Sequence, residues 1–284
     1  MPTANSVGPT VRRRRLAIEL RRLREAAGLT IDQVAKELEC SESKVSRIET
    51  AHVRATARDV RDLLEIYGID GKERDELVQL ARQAREKGWW HEAYSDLPVR
   101  ALVGLEDAAT SIRTYLDQLV PGLLQTEDYA RAVIHAIRPD LSPEETERRV
   151  ELRMARQRLL DRADSPTLWA VLDESVVRRR VGGAKVMRSQ LERLIEASTL
   201  PRVTLQLLPF SAGEHIGMDG SFTIVGFRDP ADPDVVYLEH TLSDLYLEDS
   251  EAIRQYALLF DHLRADAFSP DDSATFFAKV AEEL

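Results

Sequence analysis

The sequence predicts an all-α N-terminal domain followed by an α+β C-terminal domain that mixes a sheet with helices. Apolar residues recur at helical spacing through about the first eighty residues. From residue 111 onward, short apolar runs typical of strands are interleaved with longer amphipathic helices. The chain of 284 residues is long enough for two domains, each with its own hydrophobic core.

Two short helices joined by a tight turn are predicted within residues 28–51. Thr30 can cap a first helix that runs to about Leu38, because its hydroxyl can accept from a free backbone N–H. The apolar residues of this helix fall at i, i+3, i+4 and i+7: Ile31, Val34, Ala35 and Leu38. Ser41 can cap the second helix, whose buried face would carry Val45 and Ile48.

The second helix would present a polar outer face. Starting at Ser41, this face holds Glu42, Ser43, Lys44 and Arg47. Arg and Lys suit the acceptors of guanine, and Glu can accept from cytosine. Thr30 and Gln33, at the start of the first helix, would anchor phosphates. Because a helix-turn-helix places its second helix in the major groove, the pattern predicts a DNA-binding regulator. The alternative is a two-helix corner with a purely structural role.

Helices on either side complete a predicted domain over residues 12–87, after a flexible tail at 1–11. Leu16 to Ala27 and Ala57 to Tyr67 have core-facing stripes, and a charged helix follows over Lys72 to Lys87. The tail leads into a run of four arginines, Arg12, Arg13, Arg14 and Arg15. The run is either an arm that reaches phosphates or the minor groove, or a solvated helix start.

Two short sequences in this region resemble a known class. Leu-Arg-Glu-Ala-Ala-Gly-Leu-Thr at 23–30 and Val-Ser-Arg-Ile-Glu at 45–49 resemble the phage-repressor and xenobiotic-response-element class of helix-turn-helix. The resemblance implies a buried scaffold ion pair between Arg24 and Glu49. Where the class often has Gly, this chain has Ala51 and His52. Domains of this kind usually act as dimers on paired half-sites, so we expect a homodimer on an inverted-repeat operator of double-stranded DNA.

Residues 101–284 are predicted to form the α+β domain, after a linker at 88–100. Strands are expected at 111–116, 168–172, 203–208, 222–227, 235–239 and 245–247. Helices are expected at 126–137, 143–163, 184–198, 251–265 and 271–284. In the linker, Trp89 and Trp90 form either a packing plug between the domains or a partner site.

Five short motifs resemble the C-terminal domain of WhiJ-like actinobacterial regulators. They are Gly-Trp-Trp at 88–90, Val-Pro-Gly-Leu-Leu-Gln-Thr at 120–126, Arg-Gln at 156–157, Leu-Pro-Phe at 208–210 and Val-Tyr-Leu-Glu at 236–239. The resemblance implies a transcription factor in an antitoxin-like arrangement, controlled by a small protein partner that binds the C-terminal domain.

The sequence predicts neither an enzyme nor a metal or cofactor site. None of the six histidines forms a His-x-x-x-His pair, and a single cysteine, Cys40, excludes a zinc knuckle. His215 lies in a glycine-containing loop, which is either a ligand lid or a plain connection. Asp173 and Glu174 are either part of a polar pocket or a capped helix start. A small-molecule-sensing repressor is the alternative function.

Charge is distributed unevenly along the chain, whose net charge is −10. Residues 1–60 hold 12 Lys and Arg against 8 Asp and Glu, a balance of +4, so the remainder carries −14. A basic N-terminal part on an acidic body fits DNA binding at one end. With no apolar run long enough for a membrane span and no apolar signal segment, we expect a cytoplasmic protein.

Overall fold

The computed structural model describes residues 8–97, 101–239 and 244–284. The chain divides into two compact units, Met1–Ala108 and Ala109–Leu284. The first unit is helical and the second mixes a sheet with helices, so the predicted fold class is confirmed. Within the described ranges, every helix is too short or too polar to cross a lipid bilayer.

The first unit is helical, and its first five helices share an apolar core. Its described helices are α1 Pro9–Ala26, α2 Ile31–Glu37, α3 Glu42–Glu49, α4 Ala57–Ile66, α5 Gly71–Gln83, α6 Trp89–Ala93 and α7 Ala101–Ala108. Most predicted inward residues of α1 to α4 are buried in the core, whereas Ile31 and Leu38 pack against it and are only partly buried. The buried ones are Leu16, Leu20, Leu23, Val34, Ala35, Val45, Ile48, Val60, Leu63 and Leu64. The helical spacing of apolar residues therefore placed the core of this unit correctly.

Helix α1 begins earlier than predicted, and this corrects the interpretation of the arginine run as an arm. Pro9 occupies the first turn, where its missing N–H costs nothing. The four arginines Arg12 to Arg15 therefore lie inside the helix rather than in a tail. Arg14 is buried, and Arg12 Nη1 donates to Glu86 Oε2 at 2.9 Å. The alternative interpretation, a solvated helix start, does not hold for Arg14, because this side chain is buried.

The helical unit also continues past the predicted linker at 88–100. Helix α6 starts within that segment, and α7 packs against α1. Trp90 is buried inside this unit, where its ring lies so close to Gly104 that a side chain at 104 would collide with it. Trp89 stays 38% exposed and its indole N–H donates to Asp107 Oδ1 at 3.3 Å. Trp90 thus packs within the first unit.

The second unit is built on one six-stranded mixed sheet. Its strands are β1 Ser111–Leu116, β2 Thr167–Asp173, β3 Val203–Leu208, β4 Phe222–Gly226, β5 Val235–Glu239 and β6 Asp244–Leu247. Its helices are α8 Glu127–Ile137, α9 Pro143–Gln157, α10 Glu174–Arg178, α11 Ala184–Ser198, α12 Ser250–Asp266 and α13 Pro270–Glu282. The strand order is β3-β2-β1-β4-β5-β6, with β1, β2 and β3 parallel and the other pairs antiparallel.

Both faces of this sheet are covered in its parallel half. On one face, Val171 of β2 packs with Phe260 and Leu263 of α12. Side chains alternate along a strand, so Leu168, Ala170 and Leu172 point to the opposite face, and they are just as buried. A strand buried on both faces explains the continuous apolar run at 168–172. The chief difference in this unit is α9, which ends at Gln157 rather than near residue 163.

Candidate DNA-binding surface and C-terminal polar site

The two helices of the helix-turn-helix are capped by their predicted residues. Thr30 Oγ1 accepts from Gln33 N at 3.2 Å, and Gln33 Oε1 accepts in return from Thr30 N at 2.8 Å. Ser41 Oγ accepts from Lys44 N at 3.2 Å. These bonds satisfy backbone donors that a helix start otherwise leaves without partners. Thr30 and Gln33 therefore define the start of α2, and their contact with phosphates stays a prediction.

The turns after α2 and α3 hold non-glycine residues in the left-handed region. Glu39 has φ +50° and Ala51 has φ +57°. The turns after α1 and α4 use Gly28 at φ +71° and Gly68 at φ +73° for the same purpose. A left-handed conformation costs a residue with a Cβ about 1 kcal/mol. The turn at Ala51, where the resembling class often has Gly, thus keeps its geometry at the cost of backbone strain.

A buried ion pair ties α1 to the end of α3. Arg24 Nε donates to Glu49 Oε1 at 2.8 Å and its Nη2 donates to Glu49 Oε2 at 2.9 Å. The side chains of Arg24 and Glu49 are only 10% and 3% exposed. Arg24 Nη1 also donates to the Leu29 carbonyl at 2.9 Å, and the Tyr67 hydroxyl lies 3.5 Å from Glu49 Oε1. The pair that the resemblance implies is therefore present, and it sets the position of α3.

The outer face of α3 is open to solvent at most of the predicted positions. Ser41, Glu42, Ser43 and Arg47 are exposed, whereas Val45 and Ile48 are buried beneath them. Arg47 Nε donates to the Ser43 carbonyl at 3.1 Å, which holds the guanidinium along the helix. Its two Nη groups supply the fork that can donate to the edge of a guanine.

Lys44 does not point freely outward as predicted. Its Nζ donates to Asp59 Oδ1 at 2.7 Å, and Asp59 in turn caps α4 through Thr56. Burial works to raise the pKa of Asp59, but the bonds from Lys44 and Thr56 outweigh it and hold that pKa below its ordinary value. The ammonium charge of Lys44 is thus engaged within the protein, because packing brings α4 against the start of α3.

In the second unit, polar side chains gather where the parallel strands end. The carboxyl ends of β1, β2 and β3 meet at one edge of the sheet, as parallel strands require. Asp117 directly follows β1, and Asp173 is the last residue of β2. The segment 209–221 runs from β3 to β4 and carries His215. Open sheets with parallel strands commonly bind ligands in the crevice at this edge.

The structure brings Asp173 and His215 together, although 42 positions separate them in the chain. His215 Nε2 lies 3.8 Å from Asp173 Oδ2, and both side chains are largely buried. His215 Nδ1 accepts from Gly217 N at 3.2 Å, so the ring proton belongs on Nε2, facing the carboxylate. The ring also contacts Tyr115 edge-on, with 6.1 Å between centroids. Burial, with Asp173 and Asp117 close by, raises the pKa of Tyr115 and keeps its hydroxyl protonated.

Glu174 tethers the same segment rather than opening into a pocket. Its Oε2 accepts from Phe210 N at 2.9 Å, and its Oε1 accepts from Arg178 Nε at 3.0 Å. Asp173 Oδ1 accepts from Ser175 N at 2.8 Å and so caps α10. The capped helix start that the sequence allowed is therefore present.

This edge of the sheet offers hydrogen-bonding side chains, among them Asp173 and His215. The ring of His215 has no Ser, Thr or Cys hydrogen-bond partner among the described residues, so it does not form a nucleophile–base pair there. Across residues 8–97, 101–239 and 244–284, no three His, Cys, Asp or Glu side chains converge as metal ligands. On its outer side the segment exposes three large apolar residues, Phe210, Ile216 and Met218, at 59%, 45% and 72%.

Comparison with known protein families assigns both parts of the chain. The family model described as "Domain of unknown function (DUF5753)" matches residues 99–279, more than half of the chain. The chain belongs to the DUF5753 family. The model described as "Helix-turn-helix domain" matches residues 15–77, which indicates a DNA-binding regulator. No curated protein and no solved structure matches the chain.

Three residues of the polar site in the DUF5753 domain escaped the sequence prediction. They are Tyr115, Asp117 and Ser221. Ser221 Oγ donates to Asp117 Oδ1, and Asp117 N donates back to Ser221 Oγ at 3.1 Å. The signal that could have found Asp117 is its place directly after a buried strand, as for Asp173. Ser221 offered no signal, because only the antiparallel pairing of β4 with β1 brings it there.

Proposed function

We propose that the protein is a sequence-specific, DNA-binding transcriptional regulator that binds an inverted-repeat operator as a homodimer. The observation that carries this proposal is the exposed outer face of α3, held on α1 by the buried pair of Arg24 and Glu49. Helix α3 would lie in the major groove, with Arg47 at a guanine and Glu42 at a cytosine. The start of α2 would receive a phosphate, since helix N-termini attract anions.

The charge distribution supports the same proposal. The +4 balance of residues 1–60 favours the approach of this end to a polyanion, while the acidic remainder is repelled by it. A DNA target also agrees with a cytoplasmic location. The arginines at positions 12–15 lie in α1 and not in a flexible arm. We therefore propose only that their charges contribute to the positive balance of this end of the chain.

The test is to select the operator from a random DNA library and then to measure binding of the full chain. We expect Arg47→Ala to lose about 1–3 kcal/mol on the selected operator and much less on unrelated DNA. Arg254→Ala, an exposed arginine on α12 of the second unit, is the matched control and should bind as the wild type does. Equal weakening on all sequences would make Arg47 a phosphate contact, and failure to select any operator would contradict the proposal.

The dimer has its own test. Sedimentation of the full chain with operator should give two chains for each inverted repeat, with the half-sites about one helical turn apart. A single chain bound to a half-site with full affinity would contradict the homodimer.

For the C-terminal domain we propose control by a small protein partner, in the antitoxin-like arrangement of the WhiJ-like regulators it resembles. Phe210, Ile216 and Met218 support this, because large apolar side chains exposed together on one segment are typical of interaction sites. In the native host, Met218→Ser should abolish co-purification of that partner. Leu258→Ser, which alters a 55% exposed residue on α12, should not. Equal recovery with both variants would contradict this role of the segment.

A small-molecule sensor is the second candidate, favoured by the group of Tyr115, Asp173 and His215 at the carboxyl edge of the strands. Under this candidate, a metabolite should raise the melting temperature of the wild type but not of His215→Ala. A panel that leaves the wild type unchanged would count against it. We assign no reaction to this domain. Turnover above background that disappears in His215→Ala would overturn that assignment.

A further inference from the structure

Three basic side chains of the first unit lie near one another. Arg13 lies in α1, Arg54 in the turn after α3, and His91 in α6. Arg54 Nη2 lies 2.8 Å from His91 Nε2. Arg13 Nε is buried and has no hydrogen-bond partner. Within the described parts of the chain, no carboxylate is in ion-pair range of Arg13 or Arg54, whereas five other arginines of this unit each pair with one.

This arrangement is unfavourable in the protein alone. Burial lowers the pKa of Arg13, and the nearby charges of Arg54 and Arg14 lower it further. Burial, together with Arg54, Arg13 and Lys87, lowers the pKa of His91. Arginine stays charged at any physiological pH, so deprotonation cannot relieve the repulsion. Buried charges in proteins are normally paired, which makes a missing counter-charge the simplest physical account.

The hydrogen-bond pattern specifies the donors that are left over. Arg54 can only donate, so His91 Nε2 accepts, and the ring proton of the neutral imidazole lies on Nδ1. The Nε–H of Arg13 remains without an acceptor. Planar guanidinium groups suit the oxygens of a phosphate, to which they can donate in pairs.

We propose that Arg13, Arg54 and His91 form a binding site for a phosphate group. The group can come from the DNA backbone or from a free phosphate-bearing molecule, because both offer the same oxygens. A phosphate from the DNA backbone would reach this site only if the protein binds DNA, so this source rests on the proposed function. It is the closer source, since Arg54 lies in the turn after α3, where Val53 N donates to the Arg47 carbonyl at 3.0 Å. The free source is independent of DNA binding.

The first experiment titrates inorganic phosphate into the full chain at constant ionic strength. For the wild type we expect a rise in melting temperature and a rise in the pKa of His91, followed by NMR of its ring. Arg13→Gln and Arg54→Gln should lose both responses. Without phosphate, Arg13→Gln should melt higher than the wild type, because it removes a partly buried charge that no carboxylate of the described residues balances. If Arg13 had a purely structural role, Arg13→Gln would melt at a lower temperature than the wild type.

Arg21→Gln is the matched control on the same helix, because Arg21 is exposed and pairs with Glu25. It should keep the wild-type phosphate response. If Arg13→Gln fails to fold, Arg54→Gln in the turn after α3 still tests the site.

The second experiment measures DNA affinity against salt concentration. The slope of log K against log salt reports how many phosphates the protein contacts. If the DNA backbone supplies the phosphate, the magnitude of this slope should be smaller by about one for Arg54→Gln than for the wild type. An unchanged slope with a lost phosphate response assigns the site to a free molecule. The proposal is overturned if wild type responds to phosphate in neither melting nor His91 titration and the Arg54→Gln slope is unchanged. A wild type that binds no DNA but responds to phosphate would refute only the proposed function.

Discussion

The buried pair of Arg24 and Glu49 allows the sharpest test of how the recognition helix is held. Arg24→Ala removes three short N–H···O contacts with Glu49 and one to the Leu29 carbonyl. The Glu49 side chain, which is 3% exposed in the wild type, would keep the Tyr67 hydroxyl at 3.5 Å as its remaining donor. Burial and the Glu49 charge raise the pKa of Tyr67, so this hydroxyl stays protonated but cannot neutralise the charge.

The expected loss is about 3–5 kcal/mol, the range for removing one partner of a buried pair. Single domains have a total free energy of unfolding of about 5–15 kcal/mol, so a large part of it disappears. Hydrogen exchange of the full chain, followed by mass spectrometry, reads the opening of α2 to α4 separately from the second unit. Exchange in these helices should accelerate by roughly 10² to 10⁴.

Two further variants separate the buried pair from charge in general. Arg21→Ala removes an exposed arginine of the same helix and should change the opening free energy by less than about 1 kcal/mol. Arg24→Met combined with Glu49→Leu should recover most of the loss, because an apolar pair often replaces a buried ion pair without cost. The reasoning is refuted if Arg24→Ala exchanges within about fivefold of wild type.

Three further variants are expected to behave as follows. Ala51→Gly should raise the free energy of unfolding by about 0.5–1 kcal/mol, because φ +57° suits Gly; an unchanged urea midpoint would contradict this. Lys44→Met should cost less than about 1 kcal/mol at pH 7. The pKa of Asp59 is lower in the folded protein than in the unfolded chain, where it lies near 4, so the Asp59 carboxylate stabilises the fold above about pH 4. This stabilisation is lost as the pH falls through the pKa of Asp59 in the folded protein. The urea unfolding curves of Lys44→Met and wild type should therefore converge in acid. Glu174→Gln should loosen the segment after β3, so faster amide exchange at Phe210 is expected and unchanged exchange would count against the tether.

Local patterns predicted the helix-turn-helix almost completely. The caps at Thr30 and Ser41 involve residues three positions apart, and the stripe that buries Val45 and Ile48 follows from helical spacing. The pair of Arg24 and Glu49 is different, because 25 positions separate its members. Only the resemblance to a known class supplied it, since no local pattern links two residues on separate helices.

The errors occur where short elements pack on distant ones. Helix α6 has only five residues, and its N-cap Gly88 makes no side-chain capping bond, so no local signal extended the predicted domain past residue 87. The sequence left the arginine run open between an arm and a solvated helix start, because four like charges favour solvent. In the structure the run lies inside α1, which packs against α7, and Arg14 is buried.

The sequence by itself determined the helical first part, the six strands and the exposed positions of Glu42, Ser43 and Arg47 on α3, because each depends on local spacing and capping. Tertiary structure alone decided that Lys44 pairs with Asp59, that His215 meets Asp173, and that Arg54 contacts His91. These pairs lie 15 to 42 positions apart, and packing of separate elements, rather than any local preference, determines which charges meet.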